Sequence, residues 1–254
     1  MKLQQVKILE NKQIATDIFS MTVETCNLWA DIQFHPGQFA MIYLNTGELL
    51  LPRPISICDA TNNTLHLVYQ VVGAGTQIMS AAQPGEQIKF LAPLGKGFRT
   101  DIQGQKIALV GGGIGTPPLL LLAKALKSQG AQVDAYLGFR KEPILSNQFE
   151  ATTDRLLIAT ESGDTGHRGN ILEVLQSQPI KYDEIMACGP RPMLDALSKF
   201  AASQDIPCQV SMEERMACGI GTCVGCVLQV EGTYLRICTE GPVFYSNEVF
   251  KHES

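Results

Sequence analysis

Four cysteines near the C-terminus constrain this chain more than any other feature of its sequence. They follow the pattern Cys218-x4-Cys223-x2-Cys226, and Cys238 comes after eleven further residues. This is the plant-type spacing of the ligands of a [2Fe–2S] cluster. Three glycines lie among the first three cysteines, where they let the backbone fold tightly and direct its N–H groups at sulfur. The pattern therefore predicts a site that moves one electron at a time.

Two other uses of cysteine compete with this interpretation. Four thiolates also suit Zn²⁺, although zinc sites usually show two short Cys pairs separated by a longer loop, and here three cysteines fall within nine residues. A disulfide framework fits less well, because the chain shows no signal peptide and its other cysteines are scattered in apolar surroundings. We expect Cys26, Cys58 and Cys208 to be small buried hydrophobic residues.

The composition limits the possible partners. The 254 residues are 45% hydrophobic and 18% charged, which allows two ordinary domains and a small appendage. The net charge of −5 argues against a nucleic-acid partner, because phosphate binding needs a basic face. No apolar run approaches the roughly 18 residues that span a bilayer. Together with the cysteine usage, this predicts a cytoplasmic protein without a nucleic-acid or membrane partner.

The pattern of the chain divides it into three parts. Residues 1–101 predict a β-barrel, because short runs rich in β-branched and aromatic residues alternate with turn signals. Residues 102–207 alternate strands with helices, which predicts a parallel sheet covered on both faces. The strands are expected at 106–110, 132–139, 155–160 and 183–188, and the helices at 116–128, 169–177 and 191–203. Residues 208–254 hold the four cysteines and predict a small cluster-binding module.

A glycine-rich turn, residues 111–115, lies between a predicted strand and a predicted helix. In this context glycines let the backbone approach a pyrophosphate closely at a helix N-terminus. The fingerprint G-x-G-x-x-G is not met, because Thr116 takes the last glycine position, and a tight turn without a ligand stays possible. Residues 188–190 (Cys-Gly-Pro) also follow a strand, so they should face the same crevice, although a helix-starting turn with a buried thiol explains them equally well.

Arg53-Pro54-Ile55-Ser56 is a second candidate anion site, in the predicted barrel. An arginine held by a following proline can bind a diphosphate through paired charge-assisted hydrogen bonds. The turn at residues 73–76 offers a backbone anion nest near it. Without further context, a surface arginine and an ordinary turn account for these residues as well.

The order of these features resembles the ferredoxin-NADP reductase superfamily, in which a β-barrel binds flavin and an α/β domain binds the nicotinamide cofactor. Residues 211–226 (Ser-Met-Glu-Glu-Arg-Met-Ala-Cys-Gly-Ile-Gly-Thr-Cys-Val-Gly-Cys) with 238–244 (Cys-Thr-Glu-Gly-Pro-Val-Phe) are more specific. They are similar to the electron-transfer subunits of the NAD-linked dihydroorotate dehydrogenases B. This resemblance covers essentially the whole chain. It implies a flavin-binding barrel, an α/β nucleotide-binding domain and a C-terminal [2Fe–2S] module.

The resemblance also implies individual site residues. The residues implied to hold FAD are Arg53, Pro54, Ile55, Ser56, Val68, Tyr69, Gln70, Gly75 and Thr76. Related sequences often have arginine in place of Gln70, which removes one possible phosphate partner here. The residues implied to flank NAD are Gly112, Gly113, Gly115, Gly189 and Pro190, with Cys188 near the reacting nicotinamide. The implied ligands of the cluster are Cys218, Cys223, Cys226 and Cys238.

The implied activity is electron transfer in pyrimidine biosynthesis. Dihydroorotate would be oxidised at an FMN on a separate catalytic subunit, because a (β/α)8 barrel needs about 250 residues by itself. Electrons would pass through the [2Fe–2S] cluster to FAD and leave as a hydride to NAD⁺. The family implies a heterotetramer with two copies of each subunit. No residue of this chain is required as an acid, base or nucleophile, and His35, His66, His167 and His252 are expected to be structural or solvated.

Several questions stay open at this level. Arg140, Lys141 and Glu142 follow the second strand of the α/β part and supply both signs of charge, so they do not decide between NAD and NADP. The resemblance favours NAD. A diaphorase subunit of the same architecture, serving ferredoxin, a sulfite reductase or a hydrogenase, is one alternative. A non-catalytic iron–sulfur or zinc protein is another.

Overall fold

The computed structural model describes residues 1–25, 32–44, 49–230 and 232–251. Its first part is a closed antiparallel barrel with the strand order β1-β2-β5-β4-β3-β6. These elements are β1 (Lys2–Ala15), β2 (Ile18–Glu24), β3 (Phe39–Tyr43), β4 (Arg53–Ala60), β5 (Thr64–Gln70), α1 (Ala74–Ala81) and β6 (Gln87–Leu94). Closure of β6 onto β1 leaves no free sheet edge in the barrel. The barrel prediction is confirmed.

Alternation of side chains decides which face of each barrel strand is buried. In β6, Ile88, Phe90, Ala92 and Leu94 are buried, and the residues between them are more exposed. Successive side chains of a strand point to opposite faces, so this pattern directs one apolar row into the barrel.

The second part is a parallel α/β sheet. Its elements are β7 (Lys106–Gly112), α2 (Pro118–Ser128), β8 (Gln132–Phe139), α3 (Ser146–Thr152), β9 (Arg155–Thr160), β10 (His167–Arg168), α4 (Ile171–Gln176), β11 (Glu184–Cys188), α5 (Arg191–Ser203) and β12 (Cys208–Ser211). β7 and β11 lie side by side near the middle of the sheet and are buried almost throughout. A continuous apolar run is expected of parallel strands with helices on both faces.

The C-terminal residues return to this sheet. They form the hairpin β13 (Val227–Val230) and β14 (Thr233–Arg236), then β15 (Val243–Tyr245) and α6 (Ser246–Val249). β15 pairs antiparallel with β12, so the sheet has seven strands in the order β10-β9-β8-β7-β11-β12-β15. β12 and β15 both fall within 208–254, the range expected for the cluster module. The domain boundaries stay a prediction.

The three parts are tied by polar contacts as well as by apolar packing. Helix α2 packs on β4, and Lys124 of α2 forms an ion pair with Asp59 of β4. On the other side, Arg99 Nη2 donates to Glu184 Oε2 at 2.8 Å, and Glu184 is 1% exposed. The second oxygen of Glu184 accepts from Gln209 Nε2 at 2.7 Å. The segment after the barrel is thereby fixed to β11 and β12.

The remaining residues singled out in the sequence are placed as follows. Cys58 and Cys208 are buried, as expected. His66 is half-buried and forms a hydrogen bond with Ser20, whereas His35 and His167 are exposed. Cys26 and His252 lie outside the described residues. Within the part of the chain that is described, no helix is both long and apolar enough to cross a membrane.

The Arg99–Glu184 pair should contribute measurably to stability. Arg99→Ala would leave a buried carboxylate with one donor fewer, and we expect the free energy of unfolding to fall by about 2 kcal/mol. Lys199→Ala is the matched control, because it breaks the exposed pair with Asp195 and should cost less than about 0.5 kcal/mol. Urea unfolding followed by circular dichroism compares them. Equal losses in the two variants would contradict this prediction.

Candidate functional site

The loop that carries the cysteines directs backbone N–H groups at their sulfurs. The N–H groups of Ile220 and Cys223 point to Cys218 Sγ at 3.4 and 3.5 Å. The N–H of Gly221 points to Cys238 Sγ at 3.2 Å, and that of Cys238 points to Cys226 Sγ at 3.4 Å. Hydrogen bonds of this kind stabilise thiolates and tune the potential of a bound cluster.

The Cys218 thiol interacts with that of Cys223, and the Cys238 thiol interacts with that of Cys226 and with the charge of Cys218. Burial alone would raise the pKa of Cys218, but the surrounding N–H groups, that of Cys223 first, outweigh it and lower this pKa to about 6. Burial and the neighbouring Cys226 raise the pKa of Cys238 to about 11.

This arrangement suits a two-iron cluster, in which each iron takes two thiolates. A zinc site would need four ligands around one ion. Among the described residues, no three His, Cys, Asp or Glu side chains are grouped to hold a single ion. The all-cysteine donor set and its plant-type spacing fit a [2Fe–2S] cluster.

The cluster loop rests directly on the barrel. Gly219 has a φ of +70°, and a Cβ at this position would lie 2.6 Å from Met41 Cγ of β3. Cys226 and Cys238 share a hydrophobic cluster with Met41 and Leu94. Just beyond Leu94, the N–H of Lys96 donates to the carbonyl of Gly241 at 2.6 Å. The cysteine loop and the barrel therefore pack without an intervening layer.

Arg53 and the first turn of α1 form one cationic recess in the barrel. A Cβ on Gly75 would lie 1.9 Å from Arg53 Nε, so the arginine side chain occupies the space that this glycine leaves free. The guanidinium also donates to the carbonyl of Leu51. It has no ion pair with a carboxylate in the described chain, and the first turn of α1 holds no acidic residue. A diphosphate group fits such a recess.

The other candidates for flavin contact differ in what they can offer. Ile55 and Ser56 are half-buried on β4, and Gln70 is exposed at the end of β5. Tyr69 is 1% exposed, and its hydroxyl donates to Asn11 Oδ1 at 3.0 Å, so its ring belongs to the barrel core.

Three further candidates offer little from their side chains. The hydroxyl of Thr76 accepts from the N–H groups of Val72 and Gly73 and donates to the carbonyl of Gly73. Val68 is buried and Pro54 pairs with Met41 of β3. Tyr69 and Thr76 can therefore contact a flavin mainly through their backbone atoms.

The two turns expected to flank the nucleotide are in contact through their backbones. A Cβ on Gly115 would lie 2.5 Å from the carbonyl oxygen of Cys188, and one on Gly112 would lie 2.8 Å from Pro190 Cδ. Gly189 approaches Gly112 less closely, with 3.1 Å from its ideal Cβ to the Gly112 Cα. Close packing between the turns therefore leaves little room for a side chain at Gly112 or Gly115. Gly113, with a φ of +52° and open space around it, is the glycine that leaves room for a ligand.

Cys188 ends β11 beside Gly111 and is 2% exposed. Burial, and after it the charge of Glu213, raise the pKa of its thiol to about 12, although a hydrogen bond with Ser211 acts in the opposite direction. The thiol is therefore neutral near pH 7. A neutral buried thiol can shape the crevice but does not act as a nucleophile.

Comparisons with known proteins agree with this geometry. Residues 213–250, which include all four cysteines, match the family described as "Iron-sulfur cluster binding domain of dihydroorotate dehydrogenase B". The electron transfer subunit of dihydroorotate dehydrogenase B (NAD(+)) from Caldanaerobacter subterraneus subsp. tengcongensis is 38% identical over 249 residues, which cover 96% of this chain and 97% of the relative. The subunit of the same name from Clostridium acetobutylicum is 36% identical, with 97% of each chain covered. The chain belongs to this family of electron transfer subunits.

A solved structure extends the likeness to three dimensions. It comes from a study of flavin-based electron bifurcation in an NADH-dependent reduced ferredoxin-NADP oxidoreductase. It superposes with a TM-score of 0.88 at 28% identity, covering 96% of this chain and 89% of that one. The predictions of the family and of the architecture, a barrel with an α/β domain and a cluster module, are confirmed.

Several contacts that shape the site could not be predicted from the sequence. Met41 and Leu94, which support the cysteine loop, look like ordinary strand residues. Glu142, the acidic residue after the second strand of the α/β part, accepts from the N–H and the hydroxyl of Thr16 at 2.9 and 3.1 Å. No local signal could have found this contact, because Thr16 lies 126 residues earlier.

Gly75 should control flavin binding through Arg53. Gly75→Ala would push the guanidinium out of its recess, so we expect FAD affinity to fall about tenfold or more. Gly73→Ala is the control, because Gly73 has an extended φ of −176° and nothing lies within 4 Å of its ideal Cβ. Flavin content after gel filtration reports the difference. Full flavin occupancy in Gly75→Ala would show that Arg53 does not hold the cofactor.

The buried hydroxyl of Thr116 should cost stability. Thr116 is fully buried at the glycine-rich turn, and its Oγ1 has no hydrogen-bond partner among the residues that the structure describes. We expect Thr116→Val to raise the free energy of unfolding by about 1 kcal/mol, since it removes an unsatisfied polar atom with little change of shape. Thr116→Ser keeps the hydroxyl and should not stabilise. Urea unfolding measures both variants, and a less stable valine variant would refute the prediction.

Proposed function

We propose that this chain transfers electrons from a dihydroorotate-oxidising catalytic subunit to NAD⁺. Its relatives are named as electron transfer subunits of dihydroorotate dehydrogenase B (NAD(+)). The observation that carries the proposal is the direct packing of the cysteine loop on the barrel that bears the Arg53 recess. Electron transfer between two bound cofactors requires a short path, and the cysteine loop packs on β3, the strand that pairs with Arg53 of β4. The crevice between the two glycine turns is the third site of this series, after the cysteine loop and the Arg53 recess.

The residues divide the work as follows. Cys218, Cys223, Cys226 and Cys238 would bind the [2Fe–2S] cluster, and the N–H groups around them would favour the thiolate form. Arg53 and the first turn of α1 would bind the FAD diphosphate. The turn around Gly113 would take the dinucleotide, with Cys188 closing the crevice as a neutral thiol. When bound, the cluster carries single electrons, and the flavin exchanges single electrons for the hydride that nicotinamide requires.

We further propose that the catalytic subunit docks over Cys223. This cysteine is exposed, whereas Cys226 and Cys238 are buried. Two apolar side chains flank it, Ile220 with 41% and Val224 with 59% of their surface exposed. Val224 has a φ of +54°, which is costly for a β-branched residue and is often retained where function requires it. An apolar rim around the least buried ligand suits an interface for electron transfer.

The remaining assignments rest on the family. The catalytic subunit would carry FMN, and the complex would contain two copies of each subunit. The described cysteines outside the cluster loop are free and buried, which suits the reducing cytoplasm. The pathway served would be pyrimidine biosynthesis.

The test is a visible spectrum with iron, sulfide and flavin analysis of the chain co-purified with its catalytic subunit. We expect one FAD and two irons per chain, bleached by dihydroorotate and recoloured by NAD⁺. Both cofactors without a response to dihydroorotate would favour the diaphorase alternative. Protein that contains zinc and no flavin would contradict the proposal.

A substitution at Cys223 should separate electron transfer through the cluster from electron transfer between NADH and FAD. Cys223→Ser should remove the cluster and abolish dihydroorotate-dependent NAD⁺ reduction, while reduction of a dye by NADH through FAD continues. Cys208→Ser, at a buried cysteine outside the loop, is the control and should keep both activities. Cluster content and the two activities are measured on the same preparation. Dihydroorotate-dependent NAD⁺ reduction that survives loss of the cluster would exclude the proposed path.

A further inference from the structure

One buried hydroxyl beside the cysteine loop lacks a hydrogen-bond partner. Within the described residues, three buried side-chain oxygens have no partner, Thr116 Oγ1, Asp134 Oδ1 and Thr239 Oγ1. Asp134 lies on β8 and Thr116 at the glycine-rich turn, whereas Thr239 directly follows Cys238. A buried hydroxyl without a partner costs free energy, so its presence beside a ligand-binding residue needs an explanation.

Thr239 packs against the segment that carries the first three cysteines. An ideal Cβ on Gly221 would lie 2.8 Å from Thr239 Cγ2 and 3.4 Å from Thr239 Oγ1. The N–H of the same glycine points to Cys238 Sγ at 3.2 Å. The threonine hydroxyl therefore lies among the residues that surround the sulfur atoms, although no described group accepts its proton.

The turn that carries Thr239 is firmly held. The N–H groups of Thr239 and Glu240 donate to the carbonyl of Arg236 at 3.1 and 2.8 Å. One oxygen of Glu240 accepts from the backbone N–H and from Nε of Arg236, at 2.7 and 3.2 Å. The N–H of Ile237 donates to the carbonyl of Cys226 at 2.9 Å, which ties the turn to a second cysteine. A fixed turn loses little entropy when a ligand binds, so the hydroxyl is placed in advance.

A bound [2Fe–2S] cluster would supply the acceptor that this hydroxyl lacks. Its inorganic sulfides and ligating thiolates carry negative charge and accept hydrogen bonds, which tune the reduction potential. The N–H groups described above point at Cys218, Cys226 and Cys238, and a hydroxyl can turn its proton toward a sulfur atom that they do not reach. Reduction adds one negative charge, so a hydrogen bond to sulfur stabilises the reduced cluster more than the oxidised one.

We infer that the Thr239 hydroxyl donates a hydrogen bond to a sulfur atom of the bound cluster and thereby raises its reduction potential. A higher potential makes the cluster a better acceptor of electrons from the catalytic subunit. A threonine that only filled space would act through its methyl group and would leave the potential unchanged. This inference rests on the proposed function, in which the four cysteines bind the cluster.

The test compares Thr239→Val, Thr239→Ser and Thr233→Val, each in the full chain co-purified with its catalytic subunit. A redox titration followed by EPR of the reduced cluster gives the midpoint potential. We expect Thr239→Val to make reduction about tenfold less favourable, which lowers the potential by about 59 mV for a one-electron couple. Thr239→Ser keeps the hydroxyl and should retain the potential of the unmodified chain. Thr233, exposed on β14 of the same module, is the control, and its substitution should leave the potential unchanged.

A spectroscopic measurement separates the hydrogen bond from packing. Pulsed EPR of the reduced cluster after exchange into D2O detects exchangeable protons near sulfur, and Thr239→Val should lack one coupling that Thr239→Ser retains. If the valine variant assembles no cluster, Thr239→Ala is measured in the same way. An unchanged potential without the hydroxyl, or an equal shift in Thr239→Ser or Thr233→Val, would overturn the inference. Absence of a cluster from the unmodified complex would instead refute the proposed function.

Discussion

The antiparallel pairing of β15 with β12 decides where the cysteines can lie. These strands place the C-terminal residues at the edge of the α/β sheet, and the residue before β15, Pro242, also forms a bridge to Lys96 just after the barrel. The cysteine loop between β12 and β15 is therefore held at both ends. Within the loop, Gly219 lies against Met41 of β3 and Leu94 of β6.

Close backbone approach is the second recurring device. Gly219 lets the cysteine loop meet the barrel, Gly75 lets Arg53 cross a helix, and Gly115 lets two turns touch. In each case a single Cβ would occupy the space of a neighbouring group. At these three positions glycine brings functional segments together, whereas Gly113 and Gly73 leave space open. The sequence alone does not distinguish these glycines, because their roles depend on tertiary contacts.

The parts that could be predicted from the sequence are those with a local signal. Short runs of β-branched and aromatic residues between turn signals mark the barrel strands, apolar runs between turns mark β7 to β9, and cysteine spacing marks the cluster. Helix α1 was expected only as a turn, because its N-cap is Gly73, which lacks the side-chain oxygen that usually announces a helix start. The sheet partners β12 and β15 were missed because more than thirty residues separate them along the chain.

Whether a charged residue is available to a ligand is harder still to predict from the sequence. Glu142 and Glu161 both follow sheet strands and are both exposed, so the sequence alone does not distinguish their surroundings. Tertiary structure separates them, since the turn between β1 and β2 engages Glu142 with a backbone N–H and a hydroxyl from the same residue. These two contacts hold the Glu142 carboxylate against the barrel. The same reasoning separates Arg53, whose charge has no carboxylate partner among the described residues, from Arg99, which is fixed to Glu184. A charged residue near a site is available to a ligand only to the extent that the fold has left it unpaired.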